Sequence, residues 1–415
     1  MPHQSREGIV EIKVLASLPR ELDRFAQEFD DCFPSRPSRD HLRRYVRGQL
    51  SNLPRKSVEP IALETGVVPR TLQEFLSIHR WDEGAMRDRV QEVVVARHAH
   101  DEAIGVIDET SFPKKGDKTP GVQRQHCGAT GKTDNCVVTV HLGYVAKEFH
   151  ALLDGDLYLP ESWHGDRKRC REAGIPNDVV YRPKWQIALE LLRGAVSRGV
   201  RMKWLCADEA YGRVSEFRLD VADLGLHYVV EVPCNLTGWL PSRLVEQKPR
   251  RFDELWKRGG PAWETWRIKD TEKGPSVWDV RAVRIHVQEE KVAGEEQWLI
   301  IARNVLKDEV KYFLSNAPKS TPLGVLLHVA FSRWHIERIF QECKNEAGMD
   351  HYEGRVYVGF RRHLMLTSVS LLFLAEQKER LSAKKGGPDS RSSRSAARSR
   401  PSWATTCRRV TGGAA

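Results

Sequence analysis

The sequence predicts an α/β protein with a helical N-terminal region, on three observations. Apolar runs and amphipathic segments follow one another as β-β-β-α-β-α-β after about residue 100. A second β-patterned stretch occupies residues 233 to 305, and a long helical pattern comes after it. With 415 residues, 40% of them hydrophobic, the chain can bury a large core and more than one domain.

Residues 1–100 read as mostly helical, interrupted at Pro34, Pro37, Pro54, Pro60 and Pro69. Residues 38–50 place Arg39, Arg43, Arg44 and Arg47 on one helix. In residues 57–76, Ala62, Gly66 and Leu72 have the spacing of a helix-turn-helix: a small contact residue, a turn glycine and an apolar anchor. Arg70, Thr71 and Gln73 would open its second helix, within reach of phosphates or base edges. A plain helical hairpin with solvated arginines fits the same spacing equally well.

Residues 101–380 form the expected second domain. Residues 103–107 are a buried-strand run ending on Asp108, and 135–142 and 147–153 are two further strands joined by a turn at Gly143. Residues 185–200 are an amphipathic helix, with Ile187, Ala188, Leu191, Leu192 and Ala195 on one side. Residues 202–207 are a strand ending on Asp208, a short helix follows through 214–224, and 226–232 are the fifth strand. Residues 263–268, 277–287 and 297–302 carry the β pattern of the later stretch. Residues 323–347 read as one long helix ended by Gly348, and 364–380 as another. From 381 to 415 the Ser/Arg/Gly/Ala-rich sequence lacks apolar periodicity and reads as a basic, disordered tail.

The net charge of +10 is unevenly spread. From Lys384 onward eight basic residues and one acid give +7, leaving 58 basic against 55 acidic residues, or +3, before them. The basic total alone is therefore weak evidence for nucleic acid. Eight scattered cysteines form no Cys-x-x-Cys pair, which argues against a zinc site or a disulfide framework and suits a reducing cytoplasm. The start lacks a signal-peptide layout, and the apolar run near 364–375 is short for a bilayer. A cytoplasmic protein without membrane partners is expected.

Three acids sit where chemistry would use them. Asp108 and Asp208 each follow an apolar strand, at the functional edge of an α/β sheet. Two such carboxylates would repel each other, and a divalent metal resolves the repulsion. On the helix, Arg333, Glu337 and Lys344 lie at i, i+4 and i+11, within roughly 40° of one another, whereas Glu342 and Glu346 fall on the far side. Singly, each acid has a blander reading: a turn or helix cap for the aspartates, a surface ion-pair stripe for the glutamate. Their order and element context favour chemistry.

The stretches VIDETSFPKKG, ADEAYG and RWHIERIFQECKNEAGMDHYEGR resemble the three acidic motifs of DDE-type insertion-sequence transposases, specifically the insertion-sequence family 701 group. The likeness runs from about Ile104 to His363, with GVQRQHCGATGKTDN and DLYLPESWHGDRKRCREAGIP in support. Its third motif is similar to a Tyr-x2-Arg-x3-Glu-x6-Lys signature, with Ala330 where the tyrosine would stand and Phe331 beside it. The resemblance implies an RNase H-like mixed sheet flanked by helices, with a β-rich insertion that coincides with residues 233–305.

It also implies cutting of transposon ends and joining of the 3′-OH to target DNA by two Mg²⁺ ions about 4 Å apart, Mn²⁺ being able to substitute. Asp108, Asp208 and Glu337 are then the catalytic metal ligands, with Asp108 shared by both ions. Arg333 and Lys344 flank them as phosphate contacts. Double-stranded DNA is the expected partner and a homodimer the expected active complex. Lys114, Lys115, Arg124 and Lys132 are further candidate DNA contacts, as are Arg43, Arg47 and Arg70; solvated charge is the competing reading. Tyr211, Arg213, Tyr352 and Arg355 lie near the second and third motifs, and packing is the favoured role for Tyr211.

GATGKT at residues 128–133 tempts a nucleotide-binding reading, but the phosphate loop needs a glycine where His126 stands and a helix afterwards, where a strand is expected. No nucleotide cofactor is expected. His126, His141, His164 and His335 share no ligand spacing. The alternatives are a metal-dependent nuclease that cuts without joining and an inactive DNA-binding relative of a transposase.

Overall fold

The first helices owe their boundaries to proline and glycine. The computed structural model describes residues 12–243, 248–255, 261–271, 274–385 and 407–410. Helices α1 (Ile12–Gln27), α2 (Arg36–Gln49), α3 (Val58–Glu64), α4 (Pro69–Ser77) and α5 (Glu83–His98) come first. Pro37, Pro60 and Pro69 lie in the first turns of α2, α3 and α4, where a missing N–H costs nothing, so they start helices rather than interrupt them. Between α3 and α4, Gly66 takes a φ of +70° and the Val67 N–H donates to the Ala62 carbonyl (2.9 Å), while Ala62 and Leu72 are buried as the spacing required.

The sheet begins with β1 (Ile104–Pro113), β2 (Gln123–Cys127), β3 (Lys132–Ala146) and β4 (Phe149–Leu157). After the short helices α6 (Glu161–His164) and α7 (Arg167–Glu172) come α8 (Lys184–Ser197), β5 (Trp204–Ala207), α9 (Glu209–Gly212), α10 (Ser215–Asp223) and β6 (His227–Val232). β1 pairs antiparallel with β3 and parallel with β5, β3 pairs antiparallel with β4, and β5 pairs parallel with β6. This is a mixed α/β sheet of RNase H-like order, as expected.

Two expectations need correction here. β1 does not end at Asp108 but continues to Pro113, because β3 supplies antiparallel partners along its whole length. Only the parallel pairing with β5 stops at Ile107, so Asp108 stands where the sheet's parallel part ends. Nor is Gly143 a turn. It lies inside β3, and the reversal into β4 comes at Lys147, with a φ of +57°.

The β-patterned stretch contains β7 (Thr237–Trp239), β8 (Arg250–Arg251), the short helix α11 (Phe252–Leu255), β9 (Glu264–Thr271), β10 (Gly274–Glu289) and β11 (Val292–Asn304). A further strand, β12 (Val310–Ser315), went unread in the sequence. β12 pairs with both β11 and β6, which fuses these strands to the central sheet.

The long helix expected over 323–347 is two helices, α12 (Leu323–Phe331) and α13 (Trp334–Ala347). The Ser332 hydroxyl donates to the His328 carbonyl (2.6 Å), and the Ser332 and His335 amides bond back only three residues, to Val329 and Ser332. α14 (Tyr357–Lys385) is longer than expected. It is long and apolar enough to cross a membrane, yet it is mostly buried as a core helix. Its Thr367 and Ser370 exchange hydrogen bonds with Gln49 of α2, and His363 bonds the Tyr45 hydroxyl (2.8 Å). One hydrophobic core runs from Phe25 and Phe75 through β1, β3 and β5 to Leu372.

The tail is also corrected where it is described. Arg408–Arg409 form a strand, β13, paired with β9, and Cys407 is buried. The rest of the expected disordered tail, 386–406 and 411–415, lies outside the described residues. All eight cysteines are free thiols.

Candidate active site

Three separate elements deliver the acids to one cleft. Asp108 comes from β1, Asp208 follows β5 directly as the N-cap of α9, and Glu337 sits in the first turn of α13. Since β1 and β5 are parallel neighbours, with Ile107 opposite Ala207, the two aspartates leave adjacent strands at the same level. α13 packs on β1 and β3: the Cβ of an alanine at Gly143 would meet Ile336 and Ile339, so only hydrogen fits between strand and helix. The resulting cleft, about 630 Å³, is lined by Asp108, Asp208, Glu337 and Lys344, among others.

Arg333 lies between the acids. Its Nη1 donates to Asp108 Oδ2 (2.7 Å) and its Nη2 pairs with Glu337 Oε1 (2.8 Å). Asp108 Oδ1 accepts the Glu109 amide (2.8 Å), and Asp208 Oδ1 accepts the Ala210 amide (3.0 Å). Burial lifts the Asp108 carboxyl to about 7; Arg333 opposes that rise and Asp208 adds to it. Burial also raises Asp208. Among the described residues no three His, Cys, Asp or Glu side chains converge to metal-ligand distance.

The donors nevertheless suit a divalent cation. They are carboxylate oxygens alone, the hard set that Mg²⁺ and Mn²⁺ take. Asp108 is buried and its outer oxygen is answered only by a cation. The buried Tyr211 hydroxyl, within electrostatic reach of Asp108, Asp208 and Glu109, has no hydrogen-bond partner among the described residues.

The family model of the DDE superfamily endonuclease matches residues 28–298, well over half of the chain. This chain is a DDE superfamily endonuclease. The match includes Asp108 and Asp208 and ends before α13. A probable transposase for insertion sequence element IS701 from Microchaete diplosiphon is 28% identical over 353 residues, covering 83% of this chain and 84% of the relative. Endonucleases of this superfamily generally depend on divalent metal.

The remaining residues singled out in the endonuclease's sequence divide into three groups. Lys344 stays at the cleft, its Nζ 3.5 Å from the Ser111 carbonyl. Lys115 and Arg355 are exposed and line a neighbouring cleft with Arg55 and Lys118, while Arg124, Lys132 and Arg213 are exposed on β2, β3 and the end of α9. The others are bound within the chain. Lys114 donates to the Tyr352 carbonyl (2.6 Å), and burial pushes its amine down to about 8. Arg43 pairs with Asp30 (2.7 Å), Arg47 with Asp23 (2.9 Å) and Arg70 with Glu74 (2.5 Å). Tyr352 is buried against Phe360.

Glu342 and Glu346 are absent from the cleft, as helical phase required; Glu342 instead bonds His150 (2.7 Å) and Arg338 (2.8 Å). The GATGKT segment closes the turn between β2 and β3, and no helix follows it. Sequence reasoning missed Glu109, which lines the cleft while pairing with Lys184 of α8 (2.6 Å). Adjacency to Asp108 was the only available signal.

Proposed function

We propose that this endonuclease is an insertion-sequence transposase that cuts DNA at the ends of its element and joins the freed 3′-OH to target DNA. The observation that carries the reading is the convergence of Asp108, Asp208 and Glu337 on one cleft from three distant stretches of chain. The relative named as a probable transposase, which aligns over most of both chains, supports it.

In this reading Asp108, Asp208 and Glu337 would together hold the divalent ions. Bound there, the ions would lower the charge cost of attack on the phosphodiester and favour the deprotonated nucleophile. Asp108 is buried within β1 and held by the Glu109 amide and Arg333. Glu337 is 59% exposed and free to adjust. Lys344 lies at the cleft wall, placed to meet a phosphate of the bound strand. The α3–α4 hairpin presents exposed Arg70 and Gln73 at the start of α4, a placement suited to a groove of DNA. Two copies acting on two ends form the active complex.

Asp108→Asn, Asp208→Asn and Glu337→Gln are each expected to lower cleavage of a plasmid carrying the element's ends by about a thousandfold or more, with folding retained by circular dichroism. Cleavage that persists in any of the three removes that acid from the site. A strand-transfer assay with precut ends separates joining from cutting: a product longer than the target strand supports a transposase, and its absence leaves a nuclease.

A further inference from the structure

The acids of the cleft are already engaged by a cation of the chain itself. Arg333 donates to Asp108 Oδ2 at 2.7 Å and forms an ion pair with Glu337 Oε1 at 2.8 Å. Asp108 Oδ1 accepts the Glu109 amide and Oδ2 accepts Arg333, so both oxygens of this carboxylate already carry a donor. A divalent ion at this site and the guanidinium therefore compete for the same two carboxylates. Two cations sharing them in a half-buried cleft repel strongly, because little water screens them.

We propose that Arg333 is the resident counter-cation of the site, displaced when a divalent ion binds, and that DNA phosphate is its alternative partner. The inference rests on reading Asp108, Asp208 and Glu337 as the metal ligands. Position allows the exchange. Arg333 stands at the break between α12 and α13, outside the regular hydrogen-bonding of either helix, and its side chain is 27% exposed beside the two acids. Glu337 is more exposed still and can move inward when released, whereas Asp108, 11% exposed, cannot. Lys269 is within electrostatic reach of Glu337 but lies over the Trp334 ring, so it does not take the guanidinium's place between the acids.

Metal and DNA then help each other. A phosphate that holds Arg333 away from the acids leaves them to the ion, and by reciprocity the ion raises affinity for the phosphate by the same factor. Arg333 is a positioning residue here, acting through the ligands it occupies.

The test is Mn²⁺ binding to the full chain, followed by electron paramagnetic resonance, with and without a short DNA duplex. Without DNA, Arg333→Gln should bind Mn²⁺ about fivefold more tightly than the wild type, the upper worth of one partly exposed ion pair. Adding the duplex should raise the wild-type affinity and leave that of Arg333→Gln nearly unchanged. An unchanged or weakened DNA-free affinity in Arg333→Gln overturns the exchange. Should that variant fail to fold, Arg333→Lys, which keeps the charge without the two-armed donor, should fall between the two, and wild-type affinity in it is the overturning result. Asp108→Asn distinguishes the premise: Mn²⁺ binding equal to wild type there means that the acids are not the ligands.

Discussion

Replacing Gly143 by alanine should weaken both the fold and the cleft through a single methyl group. An alanine Cβ at this position would lie 2.8 Å from Val106 Cγ2, 2.9 Å from Ile336 Cδ1 and 3.1 Å from Ile339 Cδ1. Ordinary contacts begin near 3.4 Å, so three neighbours must each retreat by several tenths of an ångström. None is the loose end of a polar chain; all are buried branched side chains in a close-packed core. Overpacking of this kind costs about 1–3 kcal/mol.

The neighbours also determine which groups move. Val106 precedes Asp108 by two residues on β1, and Ile336 immediately precedes Glu337 on α13. The methyl group thus acts as a wedge between the strand that holds one acid and the helix that holds another. A displacement approaching 1 Å lowers a rate by up to about a hundredfold. Urea unfolding should show a lowered midpoint with an unchanged slope, and cleavage of a plasmid bearing the element's ends should slow well beyond any loss of folded protein. Gly116→Ala, whose Cβ would meet nothing within 4 Å, is the stability control. A Gly143→Ala protein with wild-type midpoint and wild-type cleavage rate would refute the claim that this contact sets the spacing of α13 from β1.

Three further outcomes follow from other contacts. Burial raises the Glu342 carboxyl, but hydrogen bonds from His150 and Arg338 outweigh it and hold the group at about 2 against an unfolded value of 4.5. Its stabilisation is therefore complete above about pH 4.5 and is lost as pH falls towards 2. Glu342→Gln should cost about 1–2 kcal/mol at neutral pH, converge on wild type in acid and leave cleavage intact; a pH-independent difference in urea midpoints would contradict this. Arg362 is buried and donates to the carbonyls of Leu76 (3.1 Å), His79 (2.9 Å) and Trp81, covering the end of α4. Arg362→Ala should destabilise by about 3 kcal/mol by leaving these acceptors unpaired, and an unmoved unfolding midpoint would count against it. Removing residues 386–415 takes β13 from β9 and bares a strand edge, so sedimentation should show self-association; a strictly unchanged sedimentation profile would mean that β13 does not protect that edge.

Much of the cleft was legible in the sequence because it depends on local periodicities. Asp208 was placed by the end of an apolar strand, and Glu337 was separated from Glu342 and Glu346 by helical phase alone, which the break at Ser332 does not disturb since all three lie beyond it. The mixed sheet followed from the alternation of strands and helices. What the sequence could not carry was pairing between distant segments. That β3 extends β1 past Asp108, that β12 fuses the later strands to β6, and that β13 returns to β9 depend on backbone hydrogen bonds, which every residue offers alike. Gly143 looked like a turn because glycine has no side chain to bend around; only the approach of α13 shows that the missing side chain is the point. That Arg43 pairs with Asp30 and Arg47 with Asp23 was equally hidden, because partners on other segments cannot be counted before the helices are packed. Sequence alone determined which acids meet at the cleft. Tertiary structure decided that Arg333 stands between them, because a guanidinium pairs with whatever carboxylate the fold brings within its reach.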